Sequence, residues 1–81
     1  MQKNLKVLLN GVDRVKSFVN VVTTFDCDFD LVSGRYVIDA KSIMGIFSLD
    51  ISKPLTLVVH IVDNDETLLR KIEAALKEYT I

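Results

Sequence analysis

Apolar residues recur along this 81-residue chain with two periods, and the switches between them mark its elements. Leu5, Val7 and Leu9 alternate with Lys6, Leu8 and Asn10, which predicts a first strand packed on one face. Asn10 and Asp13 then give an N-cap signal for a helix over residues 13–24. Its stripe is Val12, Val15, Val19 and Val22, with Phe18 beside Val15 and Val22, and with Lys16 and Asn20 off it. So many β-branched residues make a poor helix by propensity, so packing has to hold it. Phe29 and Leu31 alternate with Asp28 and Asp30 as a second strand. Ser33-Gly34 reads as a tight hairpin, and residues 35–39 return as a third strand. A short helix opened by Ser42 follows, and Ser52-Lys53-Pro54 breaks the chain. Leu55, Leu57, Val59 and Ile61 then alternate with Thr56, Val58 and His60 in the most β-prone run, which predicts a central strand. Asp63 and Glu66 form a capping-box-like pair ahead of the last helix, with Asp65 adding charge to its first turn. That helix carries the stripe Leu68, Leu69, Ile72, Ala75, Leu76 and Tyr79, with Lys71, Glu73, Lys77 and Glu78 opposite. The order is β-α-β-β-α-β-α, an α+β class. One apolar face per strand and one stripe per helix predict a sheet with all helices on one side.

Residues 40–51, AKSIMGIFSLDI, hold the feature that this plan has to accommodate. Ile43, Ile46 and Leu49 share one side of a helical turn, while Met44 and Phe47 share another. Gly45 keeps one side low. So short an element cannot bury both sets, so Met44 and Phe47 are expected to face water. An exposed methionine–phenylalanine pair is a surface suited to a protein partner.

Composition narrows the picture only by exclusion. The length corresponds to one domain, residues 1–81, and an apolar fraction of 49% is ample for its core. A net charge of −1 leaves no electrostatic footprint for nucleic acid or anionic lipid. The lone Cys27, between Asp26 and Asp28, forms no internal disulfide and reads as a structural thiol. No signal peptide or membrane span is visible, and a cytoplasmic location is expected. No repeat, phosphate loop, metal-binding spacing or catalytic triad is present, so no cofactor, metal or enzymatic activity is expected.

The segment Lys41-Ser42-Ile43-Met44-Gly45-Ile46-Phe47-Ser48-Leu49 resembles the regulatory-serine region of the histidine-containing phosphocarrier protein (HPr) family of the bacterial sugar phosphotransferase system. The likeness extends less tightly along nearly the whole chain. It implies an open-faced β-sandwich, a four-stranded antiparallel sheet covered by three helices on one face. In that family a histidine in a Gly-Ile-His-Ala-Arg-Pro-like motif at the start of the first helix carries phosphate. The matching stretch here, Asn10-Gly11-Val12-Asp13-Arg14-Val15, contains neither histidine nor proline. Asp13 brings its own negative charge to the place where a phosphate would sit. The resemblance therefore implies a member without the phosphohistidine relay. Arg14 is assigned no role.

Ser42 is then the residue of interest. As a helix cap its hydroxyl is expected at the surface, with Lys41 as a neighbouring cation. The resemblance implies phosphorylation of Ser42 by an HPr kinase/phosphorylase. It also implies docking of a catabolite-control transcription regulator on Lys41, Ile43, Met44 and Phe47. The plain alternative is a capping serine worth about 1 kcal/mol and carrying no signal. His60 is expected on the solvent side of the fourth strand, satisfied by water or a neighbour. Asp26, Asp28 and Asp30 read as a solvated polar face rather than a calcium site. Two other functions stay open: a phosphocarrier using a different acceptor such as His60, and a small-molecule regulatory domain. RNA binding ranks below both, since Phe29, Tyr36 and their neighbours lack the basic aromatic signature of an RNA-binding sheet.

Overall fold

A computed structural model describes residues 1–81. Its regular elements are β1 (Gln2–Val7), α1 (Val12–Thr23), β2 (Asp28–Ser33), β3 (Tyr36–Asp39), α2 (Ile43–Phe47), β4 (Leu55–His60) and α3 (Glu66–Ala75). The four strands form one sheet in the order β1-β4-β2-β3, and every neighbouring pair is antiparallel. The β-prone run is thus central, as its composition predicts. Leu55, Leu57 and Val59 of β4 are sealed, as are Phe29 and Leu31 of β2, and they face the helices. Val15, Phe18 and Val22 of α1 cover that row, joined by Ile46 of α2 and Ile72 of α3.

The differences from the sequence expectation cluster at element ends. α1 is capped by Gly11, not by Asn10 or Asp13, and no side chain bonds its first N–H groups. Gly11 has φ 145° and ψ 151°, a backbone state that a side chain opposes, so the turn is built by glycine. Asn10 instead donates its backbone N–H to Ile51 O at 2.9 Å, joining the start of α1 to the loop after α2. Val12 consequently leads the helix from outside its stripe and is 54% exposed. β1 stops at Val7 and β4 at His60, although Leu9 and Ile61 beyond them are buried. At α3 the cap is Asp65, which accepts Leu68 N–H at 3.0 Å. Asp63 lies in a 3₁₀ turn (Val62–Asn64) where it and Asn64 take left-handed φ of 62° and 53°. That turn moves Asp63 off the helix and leaves the cap to Asp65. Ala75 is exposed because α3 ends there, while Leu76 and Tyr79 are buried beyond its end.

The chain after α3 returns to β1. Leu8 N–H donates to Tyr79 O at 2.9 Å and Ile81 N–H to Lys6 O at 3.1 Å, flanking a bridge between Val7 and Thr80. Arg14 fastens this return: its Nη2 donates to Leu8 O at 2.9 Å and to Glu78 O at 3.0 Å. Its guanidinium also lies 5.0 Å from the centre of the Tyr79 ring. Tyr79 itself packs edge-on against Phe18 at 5.5 Å and shares a hydrogen bond with the Ser17 hydroxyl.

Burial holds the Tyr79 phenol above its ordinary range, opposed by the Ser17 hydrogen bond and assisted by the neighbouring Glu78 carboxylate. The unfolded chain therefore releases this proton first as pH rises. The Tyr79 contribution to stability should hold up to about pH 10 and then fall as pH climbs toward the folded-state value. Urea unfolding between about pH 9 and about pH 11 should show this fall, and Tyr79→Phe should make it shallower. Equal slopes in the two proteins would contradict the assignment.

Candidate functional site

α2 is five residues long and opens on Ser42, whose Oγ accepts Gly45 N–H at 3.2 Å. Serine suits this position because its short hydroxyl reaches a first-turn N–H without leaving an extended backbone. Ser42 is half-buried rather than fully exposed, since its side chain folds back over the turn. At the other end Ser48 closes the helix by donating its hydroxyl to Gly45 O.

The two apolar sets part as the spacing predicts. Ile46 is sealed, Leu49 is buried and Ile43 is half-buried, whereas Met44 is 78% and Phe47 38% exposed. α2 packs on α1 and on β3, so the inner set has somewhere to go and the outer set does not. Gly45 makes the close approach to β3 possible. A Cβ built on it would lie 2.5 Å from Ile38 Cγ2 and 3.1 Å from Ser42 Oγ.

Lys41 does not stand beside the Ser42 hydroxyl as a free cation. Its Nζ donates to Phe25 O at 2.7 Å and sits 5.8 Å from the Phe29 ring centre. Its backbone N–H donates to Asp39 Oδ1 at 2.9 Å in the turn leading into α2. The ammonium thus ties the loop after α1 to β2, a structural duty that the sequence spacing does not reveal. Cys27 lies in that loop, half-buried. Burial raises its thiol pKa above the ordinary value; a backbone hydrogen bond and Lys41 act against this, and Asp28 and Asp26 add to it. The thiol is thus held protonated, chiefly by burial rather than by the flanking aspartates.

His60 is on the open face of the sheet, as its place in the strand pattern predicts. Its Nε2 lies 2.9 Å from Asp30 Oδ2 across the β4–β2 pair. Asp28, Phe29, Asp30, Asp39 and His60 line a shallow depression of about 410 Å³ there, on the side of the sheet away from α2. No grouping of side chains suited to a metal ion is present. The histidine and the Ser42 turn are thus on opposite faces and do not form one site. Arg14, Ser17 and Tyr79 form the constellation that sequence reasoning missed. Tyr79 could be read from the helical stripe, but nothing in the spacing pairs it with α1.

Four antiparallel strands in the order β1-β4-β2-β3, helices on one face and a capped short helix with an exposed methionine define an open-faced β-sandwich of the HPr type. A family model described as the PTS HPr component phosphorylation site matches residues 14–78. The chain belongs to the HPr family of the phosphotransferase system. Among solved structures it is similar to a phosphocarrier protein HPr from Bacillus anthracis str. Ames, with 32% identity and a TM-score of 0.63. That similarity covers 93% of this chain and 94% of the other. HPr-C-His from Thermoanaerobacter tengcongensis shares the fold at 23% identity and a TM-score of 0.68, over 96% of this chain and 91% of that one. No curated protein sequence matches. The family match begins at Arg14, directly after Asp13.

The Gly45 contact has a measurable consequence. Alanine should gain about 1 kcal/mol of helix propensity there. The clash with Ile38, a β-branched side chain fixed on β3, costs more, at about 1–3 kcal/mol. Gly45→Ala is expected to lower unfolding free energy in urea. The same change made in an Ile38→Ala background should cost clearly less, and equal costs would remove the contact as the cause.

Proposed function

We propose that this HPr-family chain is a non-catalytic regulatory module that works by protein docking at α2 and by phosphorylation of Ser42, without a phosphohistidine relay. The observation that carries the reading is Met44, 78% exposed two residues from the Ser42 cap. A side chain so apolar gains from a covering partner, and about 25 cal/mol is released for each Å² it buries. Phe47 extends the surface, and Ile43 contributes its half-open edge. The sequence supplies the rest: its one histidine lies in β4, and the start of α1 has Asp13 instead.

A phosphate on Ser42 would add about −1.5 to −2 charges beside this apolar surface. Lys41, the adjacent cation, is committed to the Phe25 carbonyl. The new charge is then not neutralised within the chain and stays free for a cation on the partner. Phosphorylation acts here as a change of surface rather than a change of fold. The partners expected on this reading are an HPr kinase/phosphorylase, which modifies Ser42, and a catabolite-control transcription regulator, which docks on Lys41, Ile43, Met44 and Phe47. Lys41 takes part through its stem, since its ammonium is held.

Incubation with ATP and an HPr kinase, followed by mass spectrometry, should place one phosphate on Ser42. An unmodified serine under conditions that modify authentic HPr rejects the proposal. Met44→Ala should leave stability within about 0.5 kcal/mol, as befits an exposed position. It should weaken binding of the phosphorylated chain to the regulator about tenfold, read by calorimetry.

A further inference from the structure

The helices cover one face of the sheet, and the register gives the rows of side chains on the other. One row runs Lys6, Thr56, Val32, Val37 across the strands, and the next runs Asn4, Val58, Asp30, Asp39. Val37 is 62% exposed, and Val32 and Val58 beside it are half-buried, so these valines form an aliphatic patch on the open face. Next to the patch the charges are set in opposition. Asp30 and Asp39 stand directly across from one another. The Ala40 N–H bond to Phe29 O makes the adjoining pair the hydrogen-bonded one. The two aspartates are therefore of the closer, non-bonded kind, with Cα atoms about 4.5 Å apart, where like charges repel. Asp28 adds a third carboxylate, and no lysine or arginine pairs with any of the three. Asp30 Oδ2 meets His60 Nε2 and Asp39 Oδ1 accepts Lys41 N–H, while Asp30 Oδ1 and Asp39 Oδ2 accept nothing within the chain. The lysine of this face, Lys6, is on β1, where it donates to Thr56 Oγ1 at 2.9 Å.

We propose that the open face docks an extended segment of another protein through an arginine and a neighbouring aliphatic residue. The guanidinium is seated between Asp30 and Asp39 beside Asp28, and the aliphatic side chain covers Val32, Val37 and Val58. Charge decides this occupant. A second copy laid on the face brings aspartates against aspartates, and the phosphates of lipid or nucleic acid are repelled. The planar fork of a guanidinium donates to two carboxylate oxygens at once, which suits the two free oxygens better than an ammonium does. Two residues of an extended segment advance about 7 Å, which is also the spacing of successive rows on one face of a sheet. An aliphatic residue two positions from the arginine thus falls on the valines. The proposal uses neither Ser42 nor the α2 surface.

Nuclear magnetic resonance of the intact chain, titrated with the blocked pentapeptide valine-threonine-arginine-threonine-valine, tests it. Millimolar binding is expected, with amide shifts confined to β2, β3 and β4, and none with glutamate in place of the arginine. Asp30→Asn together with Asp39→Asn should weaken binding about tenfold or more. Asparagine keeps an oxygen for His60 and for Lys41 N–H and removes the like-charge opposition, so the urea midpoint of this variant should equal or exceed that of the parent. Val37→Ser, at an exposed position, should weaken binding about threefold with the fold intact. Equal affinity in the asparagine variant overturns the carboxylate seat, and equal affinity for a lysine peptide overturns the guanidinium. Shifts centred on Met44 and Phe47, or no shifts at all, overturn the face. Shifts of the same amides with protein concentration alone give the face to a second copy, and larger shifts with calcium than with peptide give it to a bare cation; either result overturns the proposal.

Discussion

The inward row of β4 is the constraint from which the rest of the structure follows. Leu55, Leu57 and Val59 lie between β1 and β2, with their side chains in the core and no route to solvent. The opposite side of the same strand carries Thr56, Val58 and His60, which are only half-buried. A sheet so divided accepts helices on one face alone. Three helices must then share the cover of four strands. α1 and α3 are long enough to bring stripes to it, and α2, with five residues, contributes one sealed side chain, Ile46.

That shortage explains the exposure of Met44 and Phe47 better than any property of methionine. A helix of one turn and a half presents residues in every direction, and only the direction toward Ile38 and the core is covered. Gly45 lets α2 settle against β3, which fixes the turn about its own axis. With Ile46 inward, Met44 has no choice but to point outward. The exposed surface is thus a by-product of where the glycine falls.

What the sequence made legible divides along the same physical line. Period-two and helical runs are set by burial, and burial decides side-chain direction, so strand faces, the central place of β4 and the division of Ile46 from Met44 could all be read. Element ends are set by single hydrogen bonds, and several acceptors compete for each. Asn10, Asp13 and Asp63 all looked like caps, yet Gly11 took the first place through its own positive φ, and Asp65 the second because Asp63 and Asn64 before it are left-handed. The partners of Arg14 and Lys41 were beyond reach for a different reason. Arg14 bonds Glu78 O across 64 residues and Lys41 bonds Phe25 O across 16, and a carbonyl carries no side-chain signature in the sequence. For the same reason Lys41 looked available to Ser42. The strand order and the HPr identity came from the resemblance rather than from periodicity.

These two carbonyl-bound cations also determine how any added charge is felt. Among the exposed ionic groups away from the sheet, Asp50 and Lys53 lie 3.8 Å apart. Arg14 and Lys41 face carbonyls instead of solvent. The docking proposed at α2 would then rest on Met44, Phe47 and shape. On the open face Asp28, Asp30 and Asp39 surround His60, and that side is negative already. One phosphate would be a small increment beside those aspartates but changes the character of the α2 surface. Interactions between exposed charges fade beyond about 8–10 Å at physiological salt, so the sheet keeps the two faces electrostatically separate. The phosphorylation proposed at Ser42 would therefore act on the face where an added charge stands out.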